Sequence, residues 1–276
     1  MSLLVDRAFT ALCWALAALG IALPVGIVAF LAVRGLSVLS FGFLVDAPAG
    51  LPLGSGGGIG PAILGSLALV GIGAAIAFPL GVGGAIYLSE YDPPRLLARA
   101  ARFAAECLAA VPSIVYGLFG YAFLVVFMAL KVSLLAGGLT LGIVMLPIIL
   151  IGAQEALKSV EASQREAALS LGVTTAHALR RIVIRRAMPA ICAVTVLALG
   201  HAFGTAAPIL FTAATIFSRG DIGLSTPVMT LPTHLYYLTG EAVSFDHAYA
   251  TGFVIVVILL AANFAALALK ARVGRD

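Results

Sequence analysis

The sequence predicts an all-α integral membrane protein with six transmembrane helices and both termini in the cytoplasm. Three observations lead there. Hydrophobic residues make up 62% of the 276 and charged residues only 10%, far below the roughly 25% charged residues of a soluble domain. The apolar residues come in runs that repeatedly reach the ~20 residues needed to cross a hydrocarbon core. Lys and Arg then sort almost entirely to one side of the spans so defined.

The first run, 9–33, follows Arg7 and resembles a secretory signal in position only. It is about twice the length of a signal core and has no small-x-small exit before Arg34, so it reads as a retained span. Further spans are expected at 59–88, 104–130, 134–153, 189–217 and 247–269, within one transmembrane domain over 1–276. Residues 154–188 form the longest internal loop. Of the 16 Lys and Arg, thirteen fall beside the termini and the loops near Arg95 and Arg180, while Arg34, Lys131 and Arg219 lie opposite. The positive-inside rule places the thirteen, and both termini, in the cytoplasm. The pI of about 9.1 therefore reports topology and contact with anionic lipid heads rather than nucleic-acid binding.

Other features are less specific. Cys13, Cys107 and Cys192 are more than 80 residues apart and suggest neither a disulfide framework nor a metal site. The external segments 34–58 and 218–246 are rich in Gly, Pro, Ser and Thr; they suit a docking surface for an external partner or ordinary connections. Gly73, Ala77 and Gly81 recur every four positions, as do Ser113 and Gly117, which lets helices approach closely.

The 154–188 loop carries the sharpest local pattern. Ser163-Gln164-Arg165-Glu166 fits a capping box that starts a helix. That helix would run through Ala167, Ala168, Leu169 and Leu171 and stop at Gly172, which suits a left-handed C-cap. Thr174 would cap a second helix carrying Arg180 and Arg181 back to the membrane. Such a knob suits a groove on a partner protein, or an amphipathic loop lying on the membrane surface.

Glu166-Ala167-Ala168, Gly172 and Ile182-Val183-Ile184 together resemble the EAA loop of ABC-importer permeases. Gly57-Gly58-Ile59-Gly60-Pro61-Ala62-Ile63, Tyr87-Leu88-Ser89-Glu90-Tyr91, Val111-Pro112-Ser113-Ile114-Val115-Tyr116-Gly117, Pro208-Ile209-Leu210-Phe211-Thr212-Ala213 and Leu231-Pro232-Thr233-His234-Leu235 narrow the resemblance to PstA-type permeases of phosphate importers. It extends over roughly residues 55–240. The resemblance implies the type I ABC-importer permease (MetI-like) fold in the inner (plasma) membrane. It also implies a homologous second permease, two copies of an ABC ATPase subunit, an external substrate-binding protein, and phosphate or a related oxyanion as cargo. Ser163, Glu166, Ala167, Ala168, Gly172 and Thr174 would then couple the chain to the ATPase. No cofactor is expected in this chain, Mg-ATP being bound by the partner: Lys131, Lys158 and Lys270 each follow a leucine, so no Gly-Lys-Ser/Thr phosphate loop exists.

The chain departs from that family where charge is expected. His201 stands where an Arg is usual, Thr205 replaces the Glu of a Gly-Glu-Thr-Ala-Pro run, Ile151 occupies another Arg position, and Arg185 replaces a Pro. Drift within a heterodimer, a changed oxyanion and a docking subunit without cargo all remain open. If the helix continues through Pro208, then His201, Thr205, Pro208, Thr212 and Thr215 share a stripe of about 80°. His201, Thr205, Thr212, Ser113 and Tyr116 are the pathway candidates, each equally able to serve helix packing. The glycine run from Gly54 to Gly60 would start the second span with free N–H groups facing an anion. An ion-coupled transporter would want a carboxylate near the membrane midplane, and Glu106 alone comes close. A membrane hydrolase would want clustered acids or paired histidines, and the sequence brings none together.

Overall fold

The structure, a computed structural model, describes residues 3–91, 93–161, 170, 172–217 and 222–273. Helix α1 spans Leu3–Gly35. A short α2 (Phe41–Val45), capped by Ser40 Oγ accepting the Phe43 N–H at 3.1 Å, leads into an antiparallel hairpin of β1 (Pro48–Ala49) and β2 (Gly56–Gly57), with Pro48 opposite Gly57. Then come α3 (Gly60–Glu90), α4 (Arg95–Ala110) and α5 (Ser113–Gly120), the last passing into a π-helical segment, Tyr121–Phe127. Helix α6 (Leu134–Lys158) starts at Ser133, whose Oγ accepts the Ala136 N–H at 3.2 Å. Helix α7 (Thr175–Ala178), a π turn (Leu179–Val183) and α8 (Ile184–Phe203) follow one another without a break, and α9 (Ala207–Thr212), α10 (Leu231–Gly240) and α11 (Phe245–Val273) come after.

The bundle is built on close backbone approach. In lipid there is no hydrophobic force between helices, so small residues that bring backbones into van der Waals contact hold them together. Helices α3 and α6 run parallel: a Cβ on Gly73 would sit 3.2 Å from the Gly138 carbonyl and the Gly142 nitrogen, and one on Gly81 would sit 2.8 Å from Ile149. Ala77, between them, is fully buried. Helix α8 returns antiparallel to α6, with Gly152 pressed against Val194. Helix α1 lies at the periphery, and none of its most apolar stretch is buried. It touches α11 near its end, where Phe30 packs edge-on to Tyr249 at 5.4 Å and Gly35 abuts Ala250. The start of α1 and the end of α11 therefore lie together, at the end of the molecule where α6 finishes and α7 begins.

Two expected spans are not single helices. The stretch expected at 104–130 belongs to α4 and α5, which meet at a bend of 102°. Val111 and Pro112 cause it: both are extended, with ψ of 130° and 139°, because the proline ring excludes the residue before it from helix. The span expected at 189–217 stops at Phe203 and resumes at Ala207. Gly204 ends α8, and Pro208, lacking an N–H, fits the first turn of a new helix. The stripe from His201 to Thr215 is therefore not one helix face.

Helix also extends beyond the expected spans. Helix α6 continues to Lys158, and helix resumes at Thr175, next to the Thr174 expected to open one. Helix α10 lies inside the external segment 218–246. It begins with a capping box in which Thr230 and Thr233 each bond the other's backbone N–H, and the Leu231 N–H donates to Ser66 Oγ at 2.8 Å. Leu231 and Leu238 are fully buried, so α10 tucks back against α3, where Gly65 leaves room for the Met229 carbonyl.

Candidate functional site

Where α6 ends and α7 begins, the connection is rooted in an apolar cluster. Leu179, Val183, Ala187 and Ile191, four apart along the returning rod, pack with Ala153, Ala156 and Leu157 of α6 and Ala85 of α3. Leu157 and Ile191 are fully buried and Val183 is nearly so. Displacement of the loop root therefore acts on α3 and α6 together. The opposite face of the rod is basic: a cavity of about 590 Å³ is lined by Ala176, His177, Arg180 and Arg181.

Gly172 has φ of +78°, the left-handed conformation for which glycine has no steric penalty. The Thr174 carbonyl accepts the N–H groups of His177 and Ala178, both at 3.0 Å, and so opens α7. Ser163, Glu166, Ala167 and Ala168 lie outside the described residues.

The pathway candidates separate from one another. Thr212 is fully buried and donates to the Pro208 carbonyl at 2.8 Å. It sits in a small-residue junction where a Cβ on Gly117 would lie 2.7 Å from the Ala207 carbonyl and where Gly120 abuts Thr140 and Thr212. Thr140 likewise donates within its own helix, to the Ala136 carbonyl at 2.8 Å. Thr205 donates to the His201 carbonyl at 2.6 Å and thereby closes the last turn of α8, while the His201 ring is exposed. Tyr116 is 7% exposed and its hydroxyl donates to the Leu108 carbonyl at 2.5 Å. It is a strut across the α4–α5 bend. Ser113, half-buried, opens α5 beside that strut.

The expectation of free N–H groups at the start of α3 is corrected by the structure. Gly54 donates to Ala49, Gly58 to Ala47, Ile59 to Phe43 and Gly60 to Asp46, at 2.7–3.1 Å. The carbonyls of α2 and the hairpin fold over the helix start, and glycine is needed because a Cβ on Gly58 would lie 2.6 Å from the Phe43 oxygen. The start of α6 is closed in the same way: Ser133, Leu134 and Leu135 donate to the carbonyls of Thr212, Thr226 and Leu224. Neither helix start offers an anion its N–H groups.

The apolar root has a signal in the sequence. The spacing of Leu179, Val183, Ala187 and Ile191 is a helical stripe, masked by the arginines between them. Helix α10 gave a weaker signal: Thr230 and Pro232 mark a helix start, but ten residues are too few for a span.

With the geometry in place, the comparisons decide the family. The profile of the family described as "Binding-protein-dependent transport system inner membrane component" matches residues 77–276. The chain belongs to that family. It is a multi-pass permease of the ABC-importer class, a transport subunit rather than a catalytic enzyme. The permease is 31% identical over 276 residues to the probable ABC transporter permease protein YqgI of Bacillus subtilis, covering 95% of this chain and 93% of that one. It is 37% identical over 211 residues to the phosphate transport system permease protein PstA 2 of Mycobacterium bovis, covering 75% of this chain and 69% of the relative. Among solved structures, a bacterial alginate ABC transporter in complex with an alginate pentasaccharide-bound periplasmic protein superposes on 99% of this permease and 97% of that chain, with a TM-score of 0.67 at 14% identity. An inward-facing MetNI methionine ABC transporter superposes on 77% of this permease and 94% of that chain, with a TM-score of 0.61 at 16% identity. At those identities the two structures show the shared fold alone.

Proposed function

We propose that the permease forms half of the membrane pore of an ATP-driven importer for inorganic phosphate. The observation that carries the cargo assignment is the 37% identity over 211 residues to a permease named for phosphate transport. On this reading a second, homologous permease completes the pore, two ATPase subunits receive the Glu166–Gly172 knob, and an external binding protein delivers the anion. The termini and the knob face the cytoplasm. ATP-driven closure of the ATPases moves the knob, and the apolar root carries that movement into α3 and α6, exchanging outward and inward openings.

The distribution of donors suits this division of labour. The hydroxyls of Thr205 and Thr212 donate to their own backbones and Ile151 brings no charge, so the charged contacts to a passing anion fall to the partner permease. The same facts support a related oxyanion as the second reading. The test is uptake of radiolabelled phosphate by a phosphate-uptake-deficient bacterium that expresses the chain with the ATPase, permease and binding protein encoded beside it. Saturable uptake that sulfate and molybdate fail to inhibit is expected. Uptake of another oxyanion in place of phosphate would overturn the cargo assignment and leave the permease class intact.

A further inference from the structure

The bend at Pro112 sets α4 at 102° to α5. If α5 crosses the bilayer, α4 lies nearly in its plane. It lies at the end where α6 finishes, because it follows Glu90 at the end of α3 and α3 runs parallel to α6. Helix α4 also has three distinct flanks. At about 100° per residue, Arg95, Arg99, Arg102 and Glu106 fall within roughly 60°. A second flank, Ala98, Ala101, Ala105 and Leu108, is the one withdrawn from solvent, with Ala105 at 4% exposure, and α4 packs against α6. The third flank, Leu96, Ala100, Phe103 and Cys107, is open, with Leu96 81% and Phe103 68% exposed.

A basic stripe beside an exposed apolar stripe, on a helix lying across a membrane span, fits one environment closely. Where hydrocarbon gives way to phosphate within one helix diameter, Leu96 and Phe103 can enter the acyl layer while the arginines extend to the headgroups. A shallow depression of about 490 Å³ runs between the two stripes, lined by Leu96, Arg99, Ala100, Arg102, Phe103 and Glu106. Two guanidinium groups against one carboxylate leave it positive, and Arg95 extends the basic stripe beyond it. We infer that α4 is an interfacial anchor that binds the anionic phospholipid headgroups of the cytoplasmic leaflet through Arg95, Arg99 and Arg102.

The test uses the full chain with the subunits that co-purify with it, in phosphatidylcholine nanodiscs with and without phosphatidylglycerol. In a Cys13→Ser, Cys192→Ser background, a spin label on Cys107 reports the apolar flank; adding Cys107→Ser and Arg99→Cys moves the label to the basic one. The Cys107 label should be relaxed by oxygen and shielded from a water-soluble nickel chelate, and the label on the basic flank should show the reverse. Native mass spectrometry should show the combined Arg95→Gln, Arg99→Gln, Arg102→Gln variant losing bound phosphatidylglycerol by roughly tenfold or more. A Cys107 label open to the chelate overturns the inference in favour of a water-exposed helix. One shielded from both reagents overturns it in favour of a protein partner. Unchanged lipid retention in the variant overturns the role of the arginines, and if that variant fails to assemble, the two labels decide alone.

Discussion

His234 is 4% exposed in α10, beside Gly54, and its Nδ1 has no hydrogen-bond partner. Burial, reinforced by repulsion from His247, lowers its pKa to about 4. The folded state therefore holds it neutral while the unfolded chain takes up a proton near 6.5. Stability from this residue is full above about pH 6.5 and falls as the pH drops toward 4, by up to about 3 kcal/mol. A His234→Gln variant should flatten the slope of thermal stability between those pH values, and an unchanged slope would assign the acid sensitivity elsewhere. The pathway residues show what a sequence conceals at this scale. Thr205, Thr212 and Tyr116 were chosen because they bring hydroxyls into a membrane, and each hydroxyl turns out to donate to a carbonyl within eight residues. Which acceptor a buried hydroxyl finds depends on local backbone geometry that residue identity does not specify.

Between α4 and α5, the Tyr116 hydroxyl is the cross-brace of a bend that Pro112 only permits. Replacing it by Phe leaves the Leu108 carbonyl without that donor. The expected cost is about 1 kcal/mol, together with faster proteolysis or hydrogen exchange confined to residues 104–116. A variant protected as well as the parent would show that proline alone holds the angle. The ingredients of this element were present in the sequence: Pro112, and the arginines of α4 spaced by four and three. The expected span at 104–130 nevertheless runs straight through, because apolar length alone does not report how the charges are oriented. Helix α9 shows the same. Its separation from α8 runs against the single span expected at 189–217 and follows from Gly204 and Pro208 together. Helix α10 escaped because a short helix that tucks into a bundle leaves no long apolar run.

Across the molecule, apolar crossings could be read from length alone, since a bilayer imposes it: five described helices are long and apolar enough to span, or six if the bent α4–α5 pair counts as one span. Which helices run side by side could not. The parallel pairing of α3 with α6 and the antiparallel return of α8 depend on glycine and alanine contacts whose partners no spacing names. The apolar root joins these three helices, so shrinking it should disconnect the loop from the bundle. Leu179→Ala removes a buried side chain, at about 2–4 kcal/mol of local stability. In the assembled transporter it should reduce substrate-stimulated ATP hydrolysis severalfold while leaving the unstimulated rate in place. Equal loss of both would instead indicate failed assembly.

The seam of Gly73, Ala77 and Gly81 against Gly138 and Gly142 has a thermodynamic consequence of its own. Pulling α3 from α6 inside a bilayer would expose both faces to hydrocarbon rather than to water. The heat-capacity change that curves the stability of soluble proteins comes from hydrating apolar surface, so it should be nearly absent here. The seam should loosen almost linearly with temperature and show no weakening on cooling, which gives a permease built on backbone contact a stable hinge partner across the whole range in which its membrane stays fluid.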